Sequence, residues 1–213
     1  MNEESLPPPS PEESLRLIDQ QRAIVTDRLQ GNLAPYYVPW GLAWLAGFGA
    51  FVLRDGIGDA GGYVSMPYSL PLIILFVAMA IAIAVTVTTG YRESNRVTGE
   101  STRTGVLYGL SWFLTFATMM PIASRFADLL PRDERGLLFA AVGAGLTGTL
   151  YLTGAAIWRN WGMAALGAWL LLVNLAGVLA GPAWHSIVMA VAGGGGMLVV
   201  GVGAWRRGRR ARP

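Results

Sequence analysis

The chain has 213 residues, of which 53% are hydrophobic and only 14% charged, and it contains no cysteine. A soluble domain carries about a quarter charged residues, so an ordinary soluble enzyme core is excluded; without cysteine there is no disulfide, thiolate metal site or cysteine nucleophile. All 16 basic residues are arginines set between long uncharged runs, which is the pattern of an integral membrane protein and lacks the basic stripe of a nucleic-acid-binding domain.

The start, "MNEESLPPPSPEES", is acidic and proline-rich. It has no basic opening followed by an apolar core, so no cleaved signal peptide is expected, and "LPPPSP" predicts disorder. The next stretch, "SPEESLRLIDQQRAIVTDRLQGN", predicts an amphipathic helix over 10–31. Ser10 fits the N-cap, Pro11 the first helical position and Glu13 the capping box, while Gly31-Asn32 supplies the stop. Leu15, Ile18, Val25 and Leu29 share one face, interrupted by Arg22; Glu12, Arg16, Asp19 and Asp27 lie on the others. Those acids argue against adsorption on anionic lipid. The helix then either packs on the protein's own inner loops or docks a cytosolic or membrane protein partner through its apolar face.

Six apolar stretches follow, at about 36–54, 69–90, 104–124, 136–158, 163–181 and 183–205. Each suits a helix crossing roughly 30 Å of hydrocarbon, and none alternates as a membrane strand would. The expected fold is an all-α membrane bundle of six helices (36–205), preceded by a cytoplasmic tail and helix (1–35) and followed by a basic tail (206–213). With both termini inside, 12 of the 16 arginines fall on the cytoplasmic side, the arrangement favoured in the cell membrane. Tyr36, Tyr37, Trp40, Tyr91, Trp158, Trp161 and Trp205 then fall at inner helix ends, and Tyr63, Tyr68 and Trp184 at outer ends, as an aromatic belt.

Odd spans open with Gly41–Trp44 (G-L-A-W), Gly109–Trp112 (G-L-S-W) and Leu166–Trp169 (L-G-A-W); even spans close with Tyr91-Arg92, Trp158-Arg159 and Trp205-Arg206. Three parallel helical hairpins are the economical arrangement, one that recurs in transport proteins without being restricted to them.

No Asp, Glu, Lys or Arg lies well inside a span, which counts against carboxylate-based proton coupling or catalysis in the membrane. No G-x-S-x-G, H-E-x-x-H or phosphate loop is present, and neither enzymatic chemistry nor a cofactor is expected. Hydroxyls in the spans bond to their own or neighbouring helices. Asn174 lies near the middle of span five, where an unpaired carboxamide is costly. The single histidine, His185, is placed at the outer mouth of span six, hydrogen-bonded at the interface, with no second ligand at metal-binding spacing. In the outer loop "RDGIGDAGGY", Asp55 and Asp59 lack the further oxygen ligands of a calcium site.

The four consecutive glycines Gly193–Gly196 fall about halfway along span six, too deep for a solvated linker. Ala190-x-x-x-Gly194 and Ala192-x-x-x-Gly196, continued by Gly201 and Gly203, form a small-residue seam for close helix packing. On a regular helix His185, Ala192, Gly196 and Gly203 share one face. Counting from the outer turn puts Asn174 at the depth of the glycines, so the expectation is a contact between spans five and six with Asn174 bonded to span-six carbonyls. A broken helix lining a cavity is the functional version of the same feature.

The segments "SPEESLRLIDQQRA", "PWGLAWLAGFG", "AGPAWHS" and "GGGGML" resemble a group of uncharacterised actinobacterial multi-pass membrane proteins, loosely labelled transporters. The resemblance implies a membrane fold, but no substrate and no site residues. Six spans suffice to enclose a pocket, and a transport-associated role is expected: a small permease or the membrane subunit of a larger transporter. Trp112, Asn174, Trp184 and His185 are its candidate ligand-binding residues. The alternatives are a scaffold or sensor acting through residues 10–31, with possible self-association, and a haem- or quinone-binding subunit in which His185 supplies one axial ligand.

Overall fold

Backbone amides in an apolar run can bond only within the chain, and all six runs are helical. In the computed structural model the protein is described over residues 10–17, 34–94 and 100–210. Residues 11–17 form α1. The first five spans are α2 (Ala34–Asp55), α3 (Leu70–Ser94), α4 (Glu100–Ala127), α5 (Arg132–Trp158) and α6 (Trp161–Ala180). The sixth is composite: α7 (Pro182–Val188), a π-helical stretch over Met189–Gly194, and α8 (Gly195–Arg210).

Local chemistry sets the ends. At α1 the capping box closes in both directions, with Ser10 N–H donating to Glu13 Oε2 and Glu13 N–H to Ser10 Oγ, each at 3.1 Å. Leu15 is exposed; Ile18, Val25 and Leu29 lie outside the described residues. Two residues join α5 to α6. Arg159 turns the chain in the left-handed region (φ 50°) and Asn160 caps α6, its side chain accepting from Met163 N–H at 3.0 Å. A single residue, Gly181, joins α6 to α7 at φ 86°, ψ 176°, a conformation almost confined to glycine.

Each hairpin predicted from the sequence packs as a pair: α2 with α3, α4 with α5, and α6 with the sixth span. The sixth span also packs along α2, and α6 along α5, so the order in space is α3, α2, sixth span, α6, α5, α4. The sixth span is thus the spine between the first hairpin and the rest. Among the described residues, α2 meets α5 through large rings, with Tyr37 and Tyr151 6.0 Å apart.

The core gathers Tyr37, Trp44 and Phe48 of α2, Tyr151 of α5, Leu166, Leu170 and Val173 of α6, and Met189, Ala190 and Met197 of the sixth span. Tyr37 corrects the belt assignment: it is 4% exposed, because the α2–α5 gap needs a ring to fill it. The outer helices turn large apolar side chains outward, among them Phe76, Ile81 and Val87 on α3 and Leu107, Phe113 and Ile122 on α4. Such a surface suits lipid, against which apolar side chains lose nothing.

Candidate functional site

The sixth span shows how glycine places the site. At Gly194 a Cβ would lie 2.8 Å from the Gly41 carbonyl oxygen and 2.8 Å from Leu45 N, so here the sixth span and α2 touch backbone to backbone. Gly193 admits the Trp44 ring, and Gly201 admits Val38 and Tyr37 of α2. Gly196 faces the other way, against the Trp169 indole of α6. Ala190 is buried in the same core. The seam therefore serves two helices, and its longer side belongs to α2 rather than to span five. Gly203 is not part of it, since a Cβ there would meet nothing within 4 Å.

The single face expected for His185, Ala192, Gly196 and Gly203 fails because the helix is not regular. Over Met189–Gly194 it widens into a π-helix without breaking. One extra residue in a turn rotates everything beyond it by about 100°. On a regular helix His185 and Gly201 would point about 160° apart. With the wide turn between them, both reach α2: His185 packs its ring edge-on to Phe48 (centroids 6.2 Å, planes at 70°) and Gly201 abuts Val38.

Span five does bond to a carbonyl of the wide turn, one that also accepts from Gly195 N–H, but through a residue other than the expected one. Trp169 Nε1–H donates to the Ala192 carbonyl at 2.9 Å. Asn174 instead donates from Nδ2 to the Ala141 carbonyl of α5 at 2.9 Å, which turns its oxygen toward His185. The Asn174 Oδ1 to His185 Nε2 separation is 3.4 Å, with the ring nitrogen as donor. The expected bond from Asn174 to span-six carbonyls is corrected accordingly. Asn174 lies at the level of His185, nearer the Gly181 turn than the glycines are, and it faces α5.

His185, in the first turn of the sixth span, turns into the bundle. It is 2% exposed, and it fits because Gly177 of α6 leaves room: a Cβ there would come within 2.8 Å of its Cδ2. Above it, at the end of the bundle away from Ala34, the loop between α2 and α3 folds over the first turn of α7. Gly58 N–H donates to the Ala183 carbonyl at 3.1 Å, and Gly58 lies against the Trp184 ring.

Of the four candidate ligand residues, the structure brings together Asn174 and His185. Trp184 is half exposed and belongs to the cap over them. Trp112 belongs elsewhere: it packs edge-on to Tyr151 (5.8 Å) and Tyr108 (6.2 Å) and stacks with Phe116, in an aromatic cluster of α4 and α5. From Ala141 to Tyr151 is about 15 Å along α5. Tyr108 anchors that cluster by donating to the Leu150 carbonyl at 2.8 Å, through space left by Gly154. Phe48, Ala141, Trp169 and Gly177 were not foreseen as site neighbours. Only Gly177, one turn from Asn174, offered a signal, as a small residue beside a buried polar one.

Among the described residues, six helices long and apolar enough to cross a membrane define a multi-pass membrane protein. No protein-family model, curated protein or solved structure matches the chain.

Proposed function

We propose that this multi-pass membrane protein is transport-associated, acting as a small permease or as the membrane subunit of a larger transporter. The observation that supports this reading is the pairing of buried His185 with half-buried Asn174 where α5, α6 and α7 meet beside Phe48 of α2. Polar and ionisable groups inside a membrane domain are expensive, and they characteristically mark a path for a solute or ion. The neighbouring π-helical stretch adds weight, since such wide turns gather at functional sites. The pair offers neutral donors and acceptors, which suits a small polar solute. Native mass spectrometry of the protein in mild detergent, followed by uptake assays in proteoliposomes with the solutes found, tests it. A co-purifying solute lost from Asn174→Ala and His185→Ala, with uptake lost in parallel, is the expected result. Solute binding and uptake unchanged in both folded variants would overturn the assignment.

A second reading has its own observation: α1 starts with a complete capping box and leaves Leu15 and Leu17 exposed. A helix that starts in this way, together with the apolar face that the sequence predicts at Leu15, Ile18, Val25 and Leu29, suits a scaffold or sensor that docks a partner. Deleting residues 1–31 distinguishes the two, because partner binding is lost on this reading while uptake survives on the first.

A further inference from the structure

We propose that the Ala34 end of the bundle binds the headgroups of anionic phospholipids, with Arg103 and Arg159, at the corner of α4, α5 and α6, as the principal phosphate ligands. The two ends of the bundle differ in charge. From residue 34 onward the sequence places nine arginines and two glutamates at the Ala34 end, against four arginines and five acids at the cap end. At the cap end charges are matched in place: Arg54 pairs with Asp55 at 2.6 Å and Arg135 with Asp128 at 3.3 Å. At the Ala34 end Arg92, Arg103, Arg159 and Arg206 are all exposed. Among the described residues none of these four side chains has an ion-pair partner.

Arg103 and Arg159 stand at one corner. The Tyr108 ring of α4 lies edge-on to Trp158 of α5, centroids 4.8 Å apart, and Tyr108 donates to the Leu150 carbonyl, so the two helices are locked together at this level. Arg159 follows Trp158 directly, and Arg103 precedes Tyr108 by five residues, about 7.5 Å further toward the same end. Two guanidinium groups at one corner repel each other unless an anion lies between them. The turn holds Arg159 in place, its N–H donating to the Ala155 carbonyl while Asn160 caps α6. Trp158 and Trp161 flank it, 43% and 88% exposed. Indole settles at headgroup level, which sets both guanidinium groups at the depth of lipid phosphate.

Charge selects the occupant. The planar guanidinium fork matches the paired oxygens of a phosphodiester, and every basic residue of this chain is an arginine. A zwitterionic headgroup brings an ammonium that the arginines repel. A headgroup such as phosphatidylglycerol brings the phosphate alone, and arginines near a surface of such lipids favour it. The site is independent of the transport reading, since the corner faces the headgroups whatever the membrane domain carries.

Titration of the full chain in mild detergent with phosphatidylglycerol or phosphatidylcholine, read by native mass spectrometry and by thermal unfolding, tests this. Phosphatidylglycerol should be retained on the protein and raise its unfolding midpoint, and phosphatidylcholine should do neither. Apparent affinity for phosphatidylglycerol should fall about fivefold in each of Arg103→Gln and Arg159→Gln. Arg132→Gln removes the same charge from an exposed position at the cap end and should leave that affinity unchanged. Equal retention of the two lipids overturns the proposal. So does a midpoint shift reproduced by inorganic phosphate, which would make the corner a site for the free ion. Equal losses in Arg132→Gln and Arg159→Gln would reduce the effect to net charge and overturn the assignment to this corner. Should one glutamine variant not fold, the other decides the corner, and the contrast between the two lipids on the native chain decides the ligand.

Discussion

The two halves of the sixth span meet their neighbours by opposite means. From the last residue of the π-helical stretch toward Arg210, contact is made by omission: Gly194 lies against Gly41 and Gly201 against Val38, with backbone where side chains would stand. Toward Gly181, contact is made by polar side chains, with His185 reaching Asn174 and Asn174 reaching the Ala141 carbonyl. Without a hydrophobic drive between helices in lipid, these are the two available sources of cohesion, close packing and interhelical hydrogen bonds. The contrast implies different tolerances. The glycine half should reject any added volume, whereas the polar half should be sensitive to chemistry and forgiving of shape.

The largest effect should come from adding volume to the seam. Gly194→Leu drives side-chain atoms into Gly41 O and Leu45 N, both backbone and so unable to step aside. Overpacking of this kind costs about 3 kcal/mol or more, which should appear as loss of monodisperse protein on size exclusion. Gly196→Leu meets the Trp169 indole instead, a side chain that can shift, and should lose less. Gly203→Leu, with open space around it, should purify and melt as the native chain does. Equal yields for Gly194→Leu and Gly203→Leu would erase the distinction between seam and surface.

The polar half should respond next. Asn174→Leu keeps the branched shape but removes the extra bond to the Ala141 carbonyl within α5 and leaves the buried His185 ring without its acceptor. Leaving buried partners unsatisfied costs roughly 1–3 kcal/mol, so a lower unfolding midpoint in detergent is expected, with the protein still folded. Trp169→Phe removes one donor to Ala192 O and keeps most of the ring. Interhelical hydrogen bonds in membranes average about 0.6 kcal/mol, and a midpoint shift of a degree or two should be the whole consequence. If Trp169→Phe proved worse than Asn174→Leu, the wide turn and not the polar pair would be the cohesive element of this end.

What the sequence made legible follows the same division. The six spans are carried by hydropathy, a property of each segment alone, and the helices fall where expected. They run past the apolar limits, as α5 does from Arg132 rather than residue 136, because helical backbone continues into its charged first turn. The capping box of Ser10 and Glu13 is equally local. The glycine run was readable as a seam but not as a seam against α2, since small residues state that a neighbour comes close without stating which. The π-helical turn left no trace in the pattern, and by rotating everything beyond it spoiled the face drawn through Gly203. Asn174 failed for a related reason: depth counted along a helix says nothing about which way a residue faces, and Asn174 faces α5.

The smallest effect measures what backbone alone contributes, away from both halves. Arg159 holds φ 50° and ψ 42° in the two-residue turn between α5 and α6, while its N–H donates to the Ala155 carbonyl. A residue with a Cβ pays about 1 kcal/mol for that left-handed conformation, and glycine pays almost nothing. The turn is nonetheless fixed, because Asn160 must follow at once to cap α6. Arg159→Gly should therefore raise the unfolding midpoint slightly, the gain being offset in part by the greater freedom of glycine in the unfolded chain. The sign is informative. A lower midpoint would mean that the exposed guanidinium contributes more by anchoring at the membrane surface than the backbone loses in strain, and this hairpin would then be held by charge at its tip, as neither half of the sixth span is.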